Sequence, residues 1–216
     1  MASLSTSSNI EIIPLLPEHR QSVINLLMSS FFIQEPLNAM LQFDIPQEPL
    51  AWADHVVDES LRDQCSFVAI DTQNLHKTIV GVSLNGVSNR TNKEEPFVVE
   101  SEKLNFIFSL IDKVSDGYDL FDLYNTDRLF HFDIINVDEN LRRQNVSGRL
   151  ISASEDKARQ LGIQGAFVVC SSLYSRKAFE RRQYEVVNEI LYSKYGDERL
   201  KHMGEHDRCT LLAKRL

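Results

Sequence analysis

The stretch from Leu129 to Cys170 limits the fold more than any other part of the chain. "LFHFDIINV" has the make-up of a strand, and "DENLRRQNVSG" follows as a polar loop. Val146, Leu150, Ala153, Ala158 and Leu161 then recur at helical spacing, and Gly162 is placed to end that helix as a C-cap. "GAFVVC" closes the stretch as a near-continuous apolar strand, the kind buried on both faces of a parallel pair. Strand, helix, strand is a βαβ unit, so the expected class is α/β, a mixed central sheet with flanking helices.

The first strand carries a fault in its period. Phe130, Phe132 and Ile134 alternate on one face, and Ile135 and Val137 then continue on the other. A slip of one residue is what a β-bulge produces. It falls just before a loop in which Arg142, Arg143 and Arg149 crowd around Asn145, Ser147 and Gly148. The start of a helix offers unpaired N–H groups and partial positive charge. Asn145 tolerates left-handed geometry, and Ser147 and Gly148 let an anion come close to the backbone. On its own residues this loop fits either a phosphate cradle or a solvent-exposed turn with incidental arginines.

The remaining elements are shorter. "IEIIPLL" is an expected strand, and Val23, Leu26, Leu27 and Phe31 mark a helix that must stop at Glu35, because Pro36 disfavours helical geometry there. A second helix is expected around Trp52 to Leu61, and "SFVAID" with "TIVGVSLNGV" forms an antiparallel pair. The segment from about Val98 to Asn125 has Phe106, Leu110, Ile111 and Val114 on one helical face and is open to being an insertion. "LYSRKAFERR" is expected to be helical, and "EVVNEILYS" and "CTLLAKRL" to be strands. With 216 residues, no repeats and no long linker, the chain is expected to be one domain over 1–216, with 1–8 a flexible tail.

Charge and cysteine use exclude several function classes. A net charge of −8 argues against nonspecific nucleic-acid binding. No apolar run approaches the roughly 18 residues of a membrane span, and the polar "MASLSTSSN" is no secretory signal. Cys65, Cys170 and Cys209 are scattered without CxxC spacing, which reads as reduced thiols in a cytoplasmic protein. His202 and His206 are four apart but flank Gly204 without a third ligand, so no metal is expected. His131, between two phenylalanines, is read as structural, and Cys170 as a small core residue.

"VDENLRRQNVSGRL" resembles the acetyl-CoA loop of the GNAT superfamily of N-acyltransferases, whose pattern is Gln or Arg, two residues, Gly, one residue, then Gly or Ala. Arg142 takes the first place, Asn145 stands where Gly is usual, and Ser147 where Gly or Ala is usual. "FFIQEPLN" and "CSSLYSRKAFERRQYEVV" narrow the likeness to the insect arylalkylamine N-acetyltransferases, the dopamine N-acetyltransferase-like group. Arg182, Gln183 and Tyr184 replace that group's usual Leu-Gly-Phe.

The resemblance implies a GNAT fold with a bulged, splayed parallel strand pair and acetyl-CoA as cosubstrate. The coenzyme would be held by the backbone of Ile135, Asn136 and Val137 and by the loop residues Arg142, Arg143, Gln144, Asn145, Val146, Ser147 and Gly148. It further implies direct acetyl transfer to a primary amine such as dopamine, serotonin or tyramine. Glu35 is then the general base acting through a water, Tyr174 the general acid, and Ser171 and Ser175 assist proton movement. By their residue types alone the two serines also suit the cap and first turn of a helix. Phe31, Phe32 and Pro36 are expected to line the amine pocket. A small-molecule partner and a monomer are expected, with polyamine acetylation or noncatalytic acyl-CoA binding as rival readings.

Overall fold

The computed structural model describes residues 9–73, 78–91, 97–98, 100–141 and 144–216. The tail 1–8 and two of the loop residues, Arg142 and Arg143, lie outside them. Seven strands form one sheet: β1 (Ile10–Pro14), β2 (Phe67–Asp71), β3 (Thr78–Asn89), β4 (Arg128–Val137), β5 (Gly165–Cys170), β6 (Glu185–Leu191) and β7 (Arg208–Arg215), in the order β1-β2-β3-β4-β5-β7-β6. Among the described residues, only β4 and β5 are parallel neighbours.

The chain before β2 runs as α1 (Arg20–Leu26), a π-helical turn at Leu27–Phe31, α2 (Phe32–Gln34), α3 (Pro36–Leu41) and α4 (Leu50–Asp63). Between β3 and β4 lie α5 (Glu102–Ser115) and α6 (Leu120–Tyr124). The β4–β5 crossover is α7 (Val146–Gln160), and α8 (Leu173–Glu180) and α9 (Tyr192–Tyr195) flank β6.

Helices α1, α4 and α5 cover one face of the sheet, and α7 and α8 the other. Phe167 and Val169 of β5 therefore pack into the first core, and Ala166, Val168 and Cys170 into the second. Two buried faces explain why this strand has no polar alternation. Leu104, Ile107, Leu110 and Val114 of α5 belong to the main core, so this segment is integral to the sheet's cover and not an appendage. On α7 the buried stripe runs through Val146, Leu150, Ile151, Ser154, Glu155 and Ala158, leaving Ala153 and Leu161 only partly covered. Gly162 ends it as expected, with φ +72°.

The period fault in β4 is a bulge, one residue earlier than its apolar pattern indicates. Leu84 pairs with Ile134 and Asn85 with Phe132, so Asp133 is the extra residue. Phe130 and Phe132 consequently share a face with Ile135 and Val137, while Ile134 crosses to the face of Leu129. A buried polar cluster pins the partner strand at this point. Asn85 donates through Nδ2 to the Cys65 carbonyl (2.9 Å) and to Ser154 Oγ (3.0 Å), and its Oδ1 accepts from Ser83 Oγ (2.8 Å). All three polar side chains, Asn85, Ser83 and Ser154, are fully buried. Replacing Asn85 with leucine leaves several of these groups without partners, each at a cost of about 1–3 kcal/mol. Urea unfolding is expected to show a loss of at least about 2 kcal/mol.

The turn after α8 absorbs the departure from Leu-Gly-Phe. Gln183 adopts φ 68°, the left-handed geometry that favours glycine. Tyr184 is buried edge-on against Phe132 and Phe179, and Arg182 bonds Glu155. These residues set the local packing at the end of α8.

Candidate active site

The site starts from a conflict between helix and proline. The chain from Arg20 is helical up to Gln34, and Pro36 then forces Glu35 into extended geometry (φ −64°, ψ 133°). Pro36 suits the first position of α3, and Glu35 becomes its N-cap, with Oε2 accepting the Asn38 N–H at 2.9 Å. The second oxygen is thereby left for another partner. Ser171, at the end of β5, donates to Oε1 at 2.6 Å and ties together segments far apart in sequence.

Burial pushes the Glu35 carboxyl above the usual carboxylate range, against the lowering effect of hydrogen bonds from Ser171 and the Asn38 and Leu37 backbone. The consequence for stability has a definite sign. A folded-state pKa above the unfolded one means that stability falls as the pH rises from the unfolded value to the folded one, and the loss is complete above the folded value. Glu35→Gln keeps the shape and one acceptor. It is expected to be more stable than the parent in alkaline buffer, with the difference shrinking below the raised pKa and vanishing only below the ordinary carboxyl value of about 4.3. Urea midpoints measured across that range check this.

Ser171 is itself held from behind, its carbonyl accepting the Tyr192 hydroxyl at 2.7 Å. Tyr192 is almost fully buried and escaped the sequence reading, because nothing in "EILYS" marks it. Ser172, not Ser171, is the N-cap of α8. Ser175 occupies the first turn, with its N–H on Ser172 Oγ (3.1 Å) and its hydroxyl against that of Ser172 (2.9 Å). The structure therefore joins Ser171 to Glu35 and places Ser175 within the cap.

Tyr174 is 61% exposed, and its hydroxyl donates to Glu205. Its ring meets His206 edge-on, and His206 Nδ1 accepts the Leu173 N–H at 3.1 Å, which gives that histidine a place at the start of α8. His131 Nδ1 meets Ser88 Oγ at 2.9 Å, in keeping with a structural part. Phe31 is partly buried, whereas Phe32 packs in the core between Phe31, Phe43 and Trp52. Phe31 and Pro36 thus remain partly accessible beside Glu35, with Phe32 backing them. The Cys170 thiol is pushed up to about 12 by burial, far from the range in which a thiolate forms at neutral pH.

The parallel pair comes apart next to this site. Pairing between β4 and β5 ends at Phe132 and Val168. From Asp133 to Val137, β4 keeps β3 on one edge and, among the described residues, has no strand on the other. An open edge of this kind can accept an extended, amide-bearing chain as though it were another strand. Ile135 and Val137 turn their side chains into the core under α7, while Asn136 points to the opposite face and accepts from Ser30 Oγ at 3.2 Å.

At the end of β4, Glu139–Leu141 makes a 3-10 turn, Gln144 is exposed, and Asn145 takes φ 58°, ψ 26°. The first helical bond of α7 is Arg149 N–H to Asn145 O, so the N–H groups of Val146, Ser147 and Gly148 have no acceptor within the helix. Asn145 makes no capping bond to them. A Cβ on Gly148 would meet Asn145 Oδ1, the end of an exposed side chain that lies over the first turn. Arg149 turns away, donating to the Ile10 carbonyl at 2.8 Å. These amides and the open strand edge fit the diphosphate and pantetheine arm of a coenzyme A thioester.

Comparison with known proteins agrees with this arrangement. A family model described as an acetyltransferase (GNAT) domain matches residues 89–195. The chain is similar to the crystal structure of arylalkylamine N-acetyltransferase 2 from Aedes aegypti, with TM-score 0.85 and 25% identity over 96% of this chain and 99% of that one. It is also similar to putative arylalkylamine N-acetyltransferase 7 from the yellow fever mosquito, with TM-score 0.84 and 20% identity over 95% and 87% of the two chains. A Drosophila melanogaster polyamine N-acetyltransferase that forms N-acetylagmatine shares the fold, with TM-score 0.76 and 19% identity over 96% and 100%. The seven-strand sheet with its one parallel pair matches the GNAT fold, and residues 89–195 carry a GNAT acetyltransferase domain, of a family that uses acetyl-CoA.

Proposed function

We propose that the protein is a monomeric, single-domain, cytoplasmic N-acetyltransferase. It moves acetyl from acetyl-CoA directly to an arylalkylamine of the dopamine, serotonin or tyramine type, with Glu35 as general base. The observation that carries this reading is the Glu35 carboxyl, half-buried, raised in pKa and bonded to Ser171 beside the gap between β4 and β5. An alkylammonium has a pKa of about 10 and must lose a proton before it can attack. Glu35 draws the cation in and accepts that proton through a water, and Ser171 orients the carboxylate. Phe31 and Pro36 offer an apolar wall to an aromatic ring.

Backbone N–H groups on the open edge of β4, at Ile135 to Val137, align the pantetheine arm and offer donors to a thioester oxygen gaining negative charge. Gln144 to Gly148 hold the diphosphate, with Arg142 and Arg143 as added cations. Tyr174 supplies a proton to the departing sulfur, exchanging Glu205 for it as acceptor, and Ser175 supports the serine cluster at the start of α8. Direct transfer suits the buried, protonated Cys170. Among the described residues no helix is long and apolar enough to cross a membrane.

The test is thiol release from acetyl-CoA across aromatic monoamines and polyamines. Highest kcat/KM for aromatic monoamines supports the proposal. Preference for agmatine or spermidine would move the protein to the polyamine class, and coenzyme binding without amine-dependent release would make it a noncatalytic binder. The pH profile adds a check on Glu35. Activity needs its ionised form, so kcat/KM rises with pH through the raised pKa. Ser171→Ala removes a bond that lowers this pKa, so the acid limb is expected to move to higher pH.

A further inference from the structure

At the far end of α7, a concavity of about 320 Å³ is lined by Glu155, Arg159, Arg181, Arg182, Gln183 and Lys214. Arginines and a lysine crowd this lining around a single carboxylate, in a chain whose net charge is −8. Three elements contribute to it: α7, the turn after α8, and β7 as the floor. Glu155 and Arg159 lie two to three turns beyond Gly148, about 10–16 Å along the helix axis, so the concavity is separate from the amides assigned to the coenzyme.

Glu155 is only 2% exposed and organises the cations around it. Its Oε1 accepts from Lys214 Nζ at 2.8 Å and its Oε2 from Arg182 at 3.0 Å. One carboxylate thus fixes an ammonium and a guanidinium no more than about 8 Å apart, a span that a tetrahedral oxyanion bridges with one hydrogen bond at each end. Each cation keeps N–H donors beyond the one given to Glu155. Arg159 is shared with Asp156 at 2.9 Å, and Arg181 makes no ion pair among the described residues, so positive charge remains in surplus. In the same cluster, the Tyr184 hydroxyl is buried with no hydrogen-bond partner, and Lys214 Nζ sits 5.5 Å from the centre of its ring.

We propose that this basic concavity binds a phosphate dianion, free or as a monoester, at a site distinct from the catalytic cleft. The test is titration of inorganic phosphate and, in a parallel arm, glycerol 3-phosphate. The full-length protein is saturated with coenzyme A to block the diphosphate site, at constant ionic strength, and binding is read by calorimetry or phosphorus NMR. Arg181→Gln is expected to weaken binding about threefold or more, with the KM for acetyl-CoA unchanged. Glu155→Gln removes the internal competitor and is expected to tighten binding about tenfold. A folding defect would weaken both variants, so the opposed signs are diagnostic. Tighter binding of glycerol 3-phosphate identifies a monoester and the reverse identifies the free ion. No saturable binding up to about 20 mM, or equal affinity in all three proteins, overturns the proposal.

Discussion

Glu35→Ala is expected to lower amine-dependent thiol release about a hundredfold at neutral pH, the scale of a lost general base. Three properties support an effect of this size. The carboxyl is half-buried, held by a serine on one oxygen and a backbone N–H on the other, and raised in pKa above the usual carboxylate range. Alanine also deletes the cap of α3, a structural loss of about 1 kcal/mol, so Glu35→Gln is the companion variant that keeps the packing. Glutamine should lose a similar amount of activity although it does not weaken the fold. Raising the pH toward the amine pKa near 10 should narrow the gap, because the substrate then arrives already deprotonated. A gap that stays constant with pH, or a loss of only a few-fold, would make Glu35 a capping residue and nothing more.

Phe132→Ala should cost about 3–5 kcal/mol of stability, the range for a large aromatic removed from a packed core. Phe132 is the last residue of β4 that pairs with β5, and its ring meets Phe130 at 5.2 Å, Phe179 at 4.9 Å and Tyr184 at 6.1 Å, all edge-on. These contacts fill the point where the two strands begin to part. Their loss should both destabilise the sheet and loosen the open edge that follows, so coenzyme affinity should fall with stability. Denaturant unfolding and coenzyme titration measure the two effects. A cost below about 1 kcal/mol would mean that the aromatic cluster does not hold the parting strands.

Much of the frame was legible in the residues, and the failures have physical causes. The crossover was readable because both its strands are apolar and its helix is periodic. The bulge was visible as a break in alternation, yet its position depends on pairing with β3, which the β4 residues alone do not encode. Apolar spacing runs the α7 stripe through alanine and leucine, but the sheet beneath presents Asn85 to Ser154 and Lys214 to Glu155. Polar residues are buried there because distant partners satisfy them. The π-helical turn before Glu35 leaves no mark in apolar spacing.

Site residues divided in the same way. Glu35 was marked by the proline that follows it, a local constraint. Its bond to Ser171 and the Tyr192 contact behind it depend on tertiary placement. Ser172 takes the cap because α8 starts at Leu173, which leaves Ser171, between strand and cap, to bond Glu35. The left-handed Asn145 followed from its residue type, whereas the turn of Arg149 toward Ile10 did not.

The most direct test of the account is a crystal structure with acetyl-CoA bound. The account places the diphosphate on the N–H groups of Val146, Ser147 and Gly148, the pantetheine along Ile135 to Val137, and the sulfur in the gap facing Glu35. Coenzyme density on another surface, or a Glu35 carboxyl walled off from the sulfur by packed side chains, would contradict it.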